Sequence, residues 1–261
     1  MDFSGRHVFV SGGTSGINLG IAQAFARAGA KVAVLSRSPE RVASATESLR
    51  ALGAQSLGFS GDVRDPEAVA TALAAAHEAW GPIDVLVSGA AGNFVAPAAA
   101  MSPNGFKSVI DIDLVGSFNV LRASYPWLRK PGASIINISA PQASVPMPLQ
   151  AHVCAAKAGV DMLTRVLAME WGPEGVRVNA IVPGPIDGTE GMARLTPTED
   201  ARQAVINGVP LRRYGSIEAV AGVALMLSSS VCDYVTGVVL PVDGGASLAG
   251  PTLFSAGAAP R

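Results

Sequence analysis

The chain has 261 residues, 49% of them hydrophobic and 15% charged, with a formal net charge of −1. That is long for one domain, but α/β folds reach it as a single unit, and the apolar share supports a large core with little solvated tail. The near-neutral balance argues against the basic footprint of a nucleic-acid partner, and no apolar run reaches the roughly 18 residues that a membrane span needs.

Met1-Asp2-Phe3-Ser4-Gly5-Arg6 leads into a strand within a few residues, which leaves no room for a signal peptide. Short β-branched runs then alternate with Ala-rich helical stretches. The pattern predicts strands at His7–Val10 and Lys31–Leu35, with a helix at Ile17–Ala28 between them, and a helix at Pro39–Leu52 with Pro near its first turn. Ser56–Phe59 and Ile83–Val87 read as strands around a helix at Pro66–Ala79, and a long helix is expected over Gly105–Leu128. Ser134–Ser139, Val176–Val182 and Val238–Val242 read as strands, with helices at Ala151–Trp171 and Ile217–Ser228. Such alternation means parallel strands joined by crossover helices, hence an α/β doubly wound parallel sheet in a single Rossmann-fold domain covering residues 1–261. Pro/Gly-rich segments at Ala90–Pro103, Pro141–Leu149 and Pro183–Pro197 follow strands. Ligands of open α/β sheets bind beyond the carboxyl ends of the strands, so these three loops are expected to frame the site.

Ser11-Gly12-Gly13-Thr14-Ser15-Gly16-Ile17-Asn18 stands between the first strand and the first helix. Glycines there permit a tight turn that brings amide N–H groups and a helix N-terminus onto a pyrophosphate. At the end of the second strand an acid would accept from the ribose hydroxyls of NAD, but Ser36 and Arg37 occupy that place. A guanidinium suits a 2′-phosphate, so NADP(H) is the expected cofactor.

The chain resembles the short-chain dehydrogenase/reductase family over about residues 5 to 247. The resemblance rests on Gly12 and Gly16, Asp62-Val63, Ala90-Ala91-Gly92, Lys157, Asn179 before Pro183-Gly184, and Asp243-Gly244-Gly245. Asn18 stands where the family has its third glycine, and Asn tolerates positive φ better than most residues. The resemblance implies that Gly12, Thr14, Ser15, Gly16 and Ile17 hold the phosphates, with Ser36 and Arg37 at the 2′ position. It implies an adenine contact at Asp62 and Val63, further cofactor contacts at Ala90, Ala91, Gly92 and Lys157, and a nicotinamide clamp at Pro183, Gly184, Ile186 and Thr189. It also implies a homo-oligomer, a tetramer.

The family's usual catalytic residues are an Asn, a Ser and a Tyr-x-x-x-Lys pair. Here Lys157 is present, but Val153 stands at the Tyr position, Ala140 at the Ser position and Asp113 at the Asn position. Reducing a ketone leaves a strongly basic alkoxide that needs a placed acid, which Val153 and Ala140 cannot supply. Reducing a carbon–carbon double bond conjugated to a thioester leaves a delocalised enolate that amide or Asn donors can hold, with the proton then added at carbon. Ala91-Gly92-Asn93-Phe94, Asp111-Ile112-Asp113 and Gly184-Pro185-Ile186-Asp187-Gly188-Thr189-Glu190-Gly191 resemble strings of the 2,4-dienoyl-CoA reductases. The peroxisomal type is more similar than the mitochondrial type, whose loop tyrosine is matched here by Gln142; His152 also resembles the peroxisomal group. That resemblance implies Lys157 and Asp113 as the catalytic pair and an acyl-CoA as substrate, with Asn93 and Phe94 as candidate contacts.

Plainer roles compete with these. Asp113 could cap or pair within its helix, although a carboxylate on the apolar face of Val109, Ile112 and Gly116 calls for a partner, and Lys157 is the natural one. Asn93 either binds the thioester oxygen or ties its loop, and His152 fits a loop-to-helix hydrogen bond better than catalysis. Met192–Leu195 reads equally as a lid or as a surface helix. Cys154 and Cys232 have no metal-ligand spacing and read as reduced core thiols. With no Ser-Lys-Leu address at Ala258-Ala259-Pro260-Arg261, a cytoplasmic protein is expected. Two rival functions stay open: a reductase of another substrate, such as a 3-oxoacyl group with a relocated acid, and a catalytically silent NADP-binding module.

Overall fold

The computed structural model describes residues 1–248, so the C-terminal tetrapeptide Ala258–Arg261 lies outside the described residues. Seven parallel strands form one sheet: β1 His7–Ser11, β2 Lys31–Ser36, β3 Ser56–Ser60, β4 Val85–Ser88, β5 Ser134–Ile138, β6 Arg177–Pro183 and β7 Val239–Val242. Their order is β3-β2-β1-β4-β5-β6-β7, and the direction of winding reverses between β1 and β4. A crevice opens at such a switch point, beyond the carboxyl ends of the strands.

The strands are apolar on both sides because helices cover both faces. In β1, Val8 and Val10 face one helical layer and Phe9 the other. The first layer holds α1 (Gly16–Arg27), α2 (Pro39–Arg50) and α9 (Ile217–Ser228), through Ile21, Phe25, Leu49, Val220 and Ala224. The second holds α3 (Pro66–Trp80), α5 (Gly116–Ser124) and α6 (Ala151–Trp171), through Val69, Leu73, Val120, Leu121 and Leu167. Starts are set by local chemistry. Ser38 and Asp65 accept hydrogen bonds from the first-turn amides of α2 and α3, each with a Pro at the opening position.

Three sequence expectations are corrected. The long helix over Gly105–Leu128 is instead α4 (Pro103–Ile110), a π-turn at Asp111–Val115, then α5 and a short 3-10 turn at Tyr125–Trp127. Amphipathic spacing does not distinguish a π-turn from a continuous helix, since one extra residue merely rotates the faces. The segment Pro183–Pro197 is not one loop: Pro183 ends β6, and Thr189 caps α7 (Glu190–Leu195), which is followed by α8 (Glu199–Gly208). Asn18 lies inside α1 and is not among the positive-φ residues; Gly12 (φ 70°) and Gly16 (φ 53°) make the turn.

Candidate active site

At the switch point the β1–α1 turn closes against the start of the loop after β4. A Cβ on Gly12 would lie 2.8 Å from Ala90 Cα, so only glycine permits this approach. Asn18 donates from Nδ2 to Gly89 O at 2.7 Å and ties α1 to that same loop. A side chain where the family has glycine thus acts here as a strut. Ser15 caps α1 through its backbone only, which leaves the first-turn N–H groups free for an anion.

The cleft above this turn is lined by Gly12, Thr14, Ser15, Gly16 and Ile17 from the turn and by Ser36 and Arg37 from the end of β2. Asp62 and Val63 from the loop after β3, Ala90 and Ala91, and Thr189 line it too. Asp62 accepts from Arg64, and that bond holds its carboxyl below the usual carboxylate range. Pro183, Gly184 and Ile186, expected in the clamp, do not line this cleft. Pro183 is the buried end of β6, Gly184 packs against Asp243 with a would-be Cβ 2.5 Å from its Cα, and Ile186 is buried in the layer of α1 and α9. Only their backbone is left to face a ligand. Arg41 and Glu190 also line the cleft and were not singled out from the sequence. The signal for Arg41 was its place in the first turn of α2, four residues after Arg37, where a second cation would face the same phosphate.

The π-turn places Asp113 beneath the loop after β4. Asp113 Oδ1 accepts from Gly92 N at 2.7 Å, and its Oδ2 lies 3.4 Å from Lys157 Nζ on α6. Both side chains are buried, at 1% and 6% exposure. Lys157 Nζ also donates to Ile138 O, the last residue of β5, at 3.0 Å. An ammonium carries three N–H donors, so one remains for a substrate or cofactor group. Asp111, two residues from Asp113, faces outward and pairs with Lys107. Val153 is buried and Ala140 begins the loop after β5, so neither position offers a proton.

Around the pair, Phe94 meets the buried His152 edge to face with ring centroids 4.3 Å apart. His152 Nδ1 accepts from Val153 N at 2.8 Å, and Gln142 donates to Gln150 Oε1 at 2.8 Å. Asp161, one turn beyond Lys157, is buried with its Oδ1 unpartnered. Burial pushes its carboxyl above the ordinary range, offset only in part by the Ser139 hydroxyl and the charges of Arg165 and Lys157. Its spacing of four from Lys157 on one helix was the sequence signal that went unread. Asn179 is structural: it donates to Val235 O and accepts from Val238 N, fixing the approach to β7. Cys232 is buried and Cys154 half-buried, and both are free thiols.

With this fold and cleft the chain belongs to the short-chain dehydrogenase/reductase family of oxidoreductases; the family model described as "Enoyl-(Acyl carrier protein) reductase" matches residues 12–247. Among curated relatives it is 45% identical to the peroxisomal 2,4-dienoyl-CoA reductase of Pongo abelii, over 93% of this chain and 84% of that protein. It is 42% identical to the peroxisomal 2,4-dienoyl-CoA reductase of Arabidopsis thaliana, over 95% of this chain and 86% of that one. A short-chain dehydrogenase from Bacillus anthracis superposes with a TM-score of 0.83 at 36% identity, covering 93% of this chain and 96% of its own.

Proposed function

We propose that the protein uses NADPH to reduce a conjugated unsaturated acyl thioester, of the 2,4-dienoyl-CoA class. The observation that carries this reading is the buried Lys157–Asp113 pair in a site that has Val153 and Ala140 where the family's usual proton donors stand. NADPH supplies a hydride when bound. The cleft fits it: free amides of α1 for the pyrophosphate, no acid at the end of β2, and Arg37 and Arg41 for a 2′-phosphate.

Lys157 is anchored by Ile138 O and Asp113, and its remaining N–H holds a water or the substrate itself. Asp113 is the counter-ion of the buried Lys157 ammonium, since a buried cation is costly unless paired. Asn93 is the candidate donor to the thioester oxygen, and Phe94 a wall beside it. The delocalised anion left after hydride delivery takes its proton at carbon from Lys157 or from the water it holds. This route needs no acid at the positions of Val153 and Ala140, where the family's usual reduction of a ketone has its proton donor. In the dienoyl case the product is a 3-enoyl-CoA. Lys157→Ala tests the assignment: turnover of 2,4-hexadienoyl-CoA should be lost while the protein stays folded. Turnover equal to that of the parent would remove Lys157 from the chemistry.

The protein is further proposed to be a homotetramer in the cytoplasm. No helix among the described residues is long and apolar enough to cross a membrane. Cell fractionation decides the location, and recovery with an organelle would overturn it.

A further inference from the structure

Leu149 holds a backbone conformation that its side chain disfavours. Its φ of 68° lies in the left-handed region, where Cβ crowds the next carbonyl oxygen and glycine or asparagine sits more easily. Burial does not compensate, because the leucine is 48% exposed. Both costs fall at the end of the loop that runs from β5 into α6, eight residues before Lys157. Backbone strain and exposed apolar surface on one residue of a site loop point to a ligand.

The surroundings indicate which ligand. Leu149 O accepts from Ala96 N at 3.0 Å, which stitches the loop after β5 to the loop after β4 just beyond Phe94 and Val95. Those two side chains are 40% and 58% exposed. Phe94 is held from two sides: His152 meets it edge to face, and a Cβ on Gly105 of α4 would lie 3.2 Å from its Cζ. Nearby in the same loop, Gly92 N grips Asp113. A fixed aromatic face and two exposed aliphatic side chains therefore stand at the carboxyl ends of β4 and β5, beside the reacting pair.

We infer that Leu149, together with Phe94 and Val95, forms the wall that receives the hydrocarbon chain of the substrate, and that the left-handed backbone at Leu149 fixes that wall. Leu149 is thereby a specificity-determining residue that favours long acyl chains over short ones. The inference rests on the acyl-thioester reading and deepens it. The thioester end of such a substrate is polar and its diene must reach Lys157, but the carbons beyond the diene can gain only apolar contact, in proportion to their number.

The test is the ratio of kcat/KM for 2,4-decadienoyl-CoA to that for 2,4-hexadienoyl-CoA, in the parent protein, Leu149→Asn and Leu149→Ala. Asparagine matches leucine in size and accepts the left-handed backbone, so it changes the polarity of the wall rather than the fold. The ratio should favour the ten-carbon substrate in the parent and fall about tenfold in Leu149→Asn, with a smaller fall in Leu149→Ala. An unchanged ratio in folded variants would overturn the inference. Should the parent turn over neither substrate, the proposed function fails, and the wall is then tested by calorimetric binding of decanoyl-CoA and hexanoyl-CoA to the NADP⁺-loaded protein. A preference for decanoyl-CoA that Leu149→Asn erases supports the wall. Equal affinity of the parent for both refutes it.

Discussion

Asp113 has one oxygen on a backbone amide and the other facing an ammonium, so replacing it acts on charge and on position separately. Asp113→Asn keeps an acceptor for Gly92 N but leaves Lys157 buried without its counter-ion. Breaking a buried pair typically costs about 3–5 kcal/mol in stability, and displacing Lys157 from its place should cost kcat up to the about 10²–10⁴-fold that a positioned proton-transfer group contributes. Asp113→Asn should therefore show both losses; kcat within twofold of the parent would make Asp113 merely structural. Asp161 predicts the opposite sign. Its pKa is raised in the folded state, so its contribution is fully present below the ordinary carboxylate value of 3.8 and lost as pH rises through the folded value. Asp161→Asn should thus gain in Tm relative to the parent, and that gain should shrink as pH falls toward the ordinary carboxylate value of 3.8. A difference in Tm that does not change with pH would contradict this. Composition marked neither residue as unusual. Lys157 and Asp113 were legible because their positions matched a motif, whereas the burial of Asp161 needed the packing of α6 against the sheet.

At the level of elements, the site depends on two local departures from regular structure. The first is the β1–α1 turn, where Gly12 lies against Ala90. Gly12→Ala would place Cβ against backbone at a positive φ, and backbone cannot yield as a flexible side chain does. Loss of NADPH binding in a protein with a lowered Tm is the expected outcome, read by fluorescence titration and melting; unaltered affinity would show that the turn does not hold the phosphates. The end of β2 is the matching specificity element. Arg37→Asp should move preference from NADPH toward NADH, and no shift would take Arg37 out of the 2′-phosphate site. The second departure is the π-turn, which periodicity could not reveal. The strands and most helices were legible because apolar runs and capping residues are local signals. A π-turn is imposed by what its residues meet, here Gly116 against Val63 and Leu114 against Gly159.

For the whole molecule, an apolar face is still to be explained. Val115 and Phe118, in the π-turn and α5, and Met162, Val166 and Met169 of α6 are all exposed. Exposed apolar patches of this kind mark association surfaces, which fits the proposed homo-oligomer. Phe118→Asp should lower the mass seen by sedimentation, and an unchanged mass would place the interface elsewhere. The parallel, doubly wound sheet followed from strand–helix alternation alone, whereas its strand order did not. The arrangement of the loops after β4 and β5 was not legible in the sequence, because residues far apart in the chain hold them: Asn18 to Gly89, Asp113 to Gly92, and Leu149 to Ala96 through the backbone.

The most direct measurement is NADPH oxidation by the purified protein with 2,4-hexadienoyl-CoA and, in parallel, with acetoacetyl-CoA. A site with Lys157 and Asp113 but no phenol should consume NADPH with the dienoyl thioester at a rate at least about 100-fold above that with the ketone. Ready reduction of acetoacetyl-CoA with no turnover of the dienoyl thioester would contradict it.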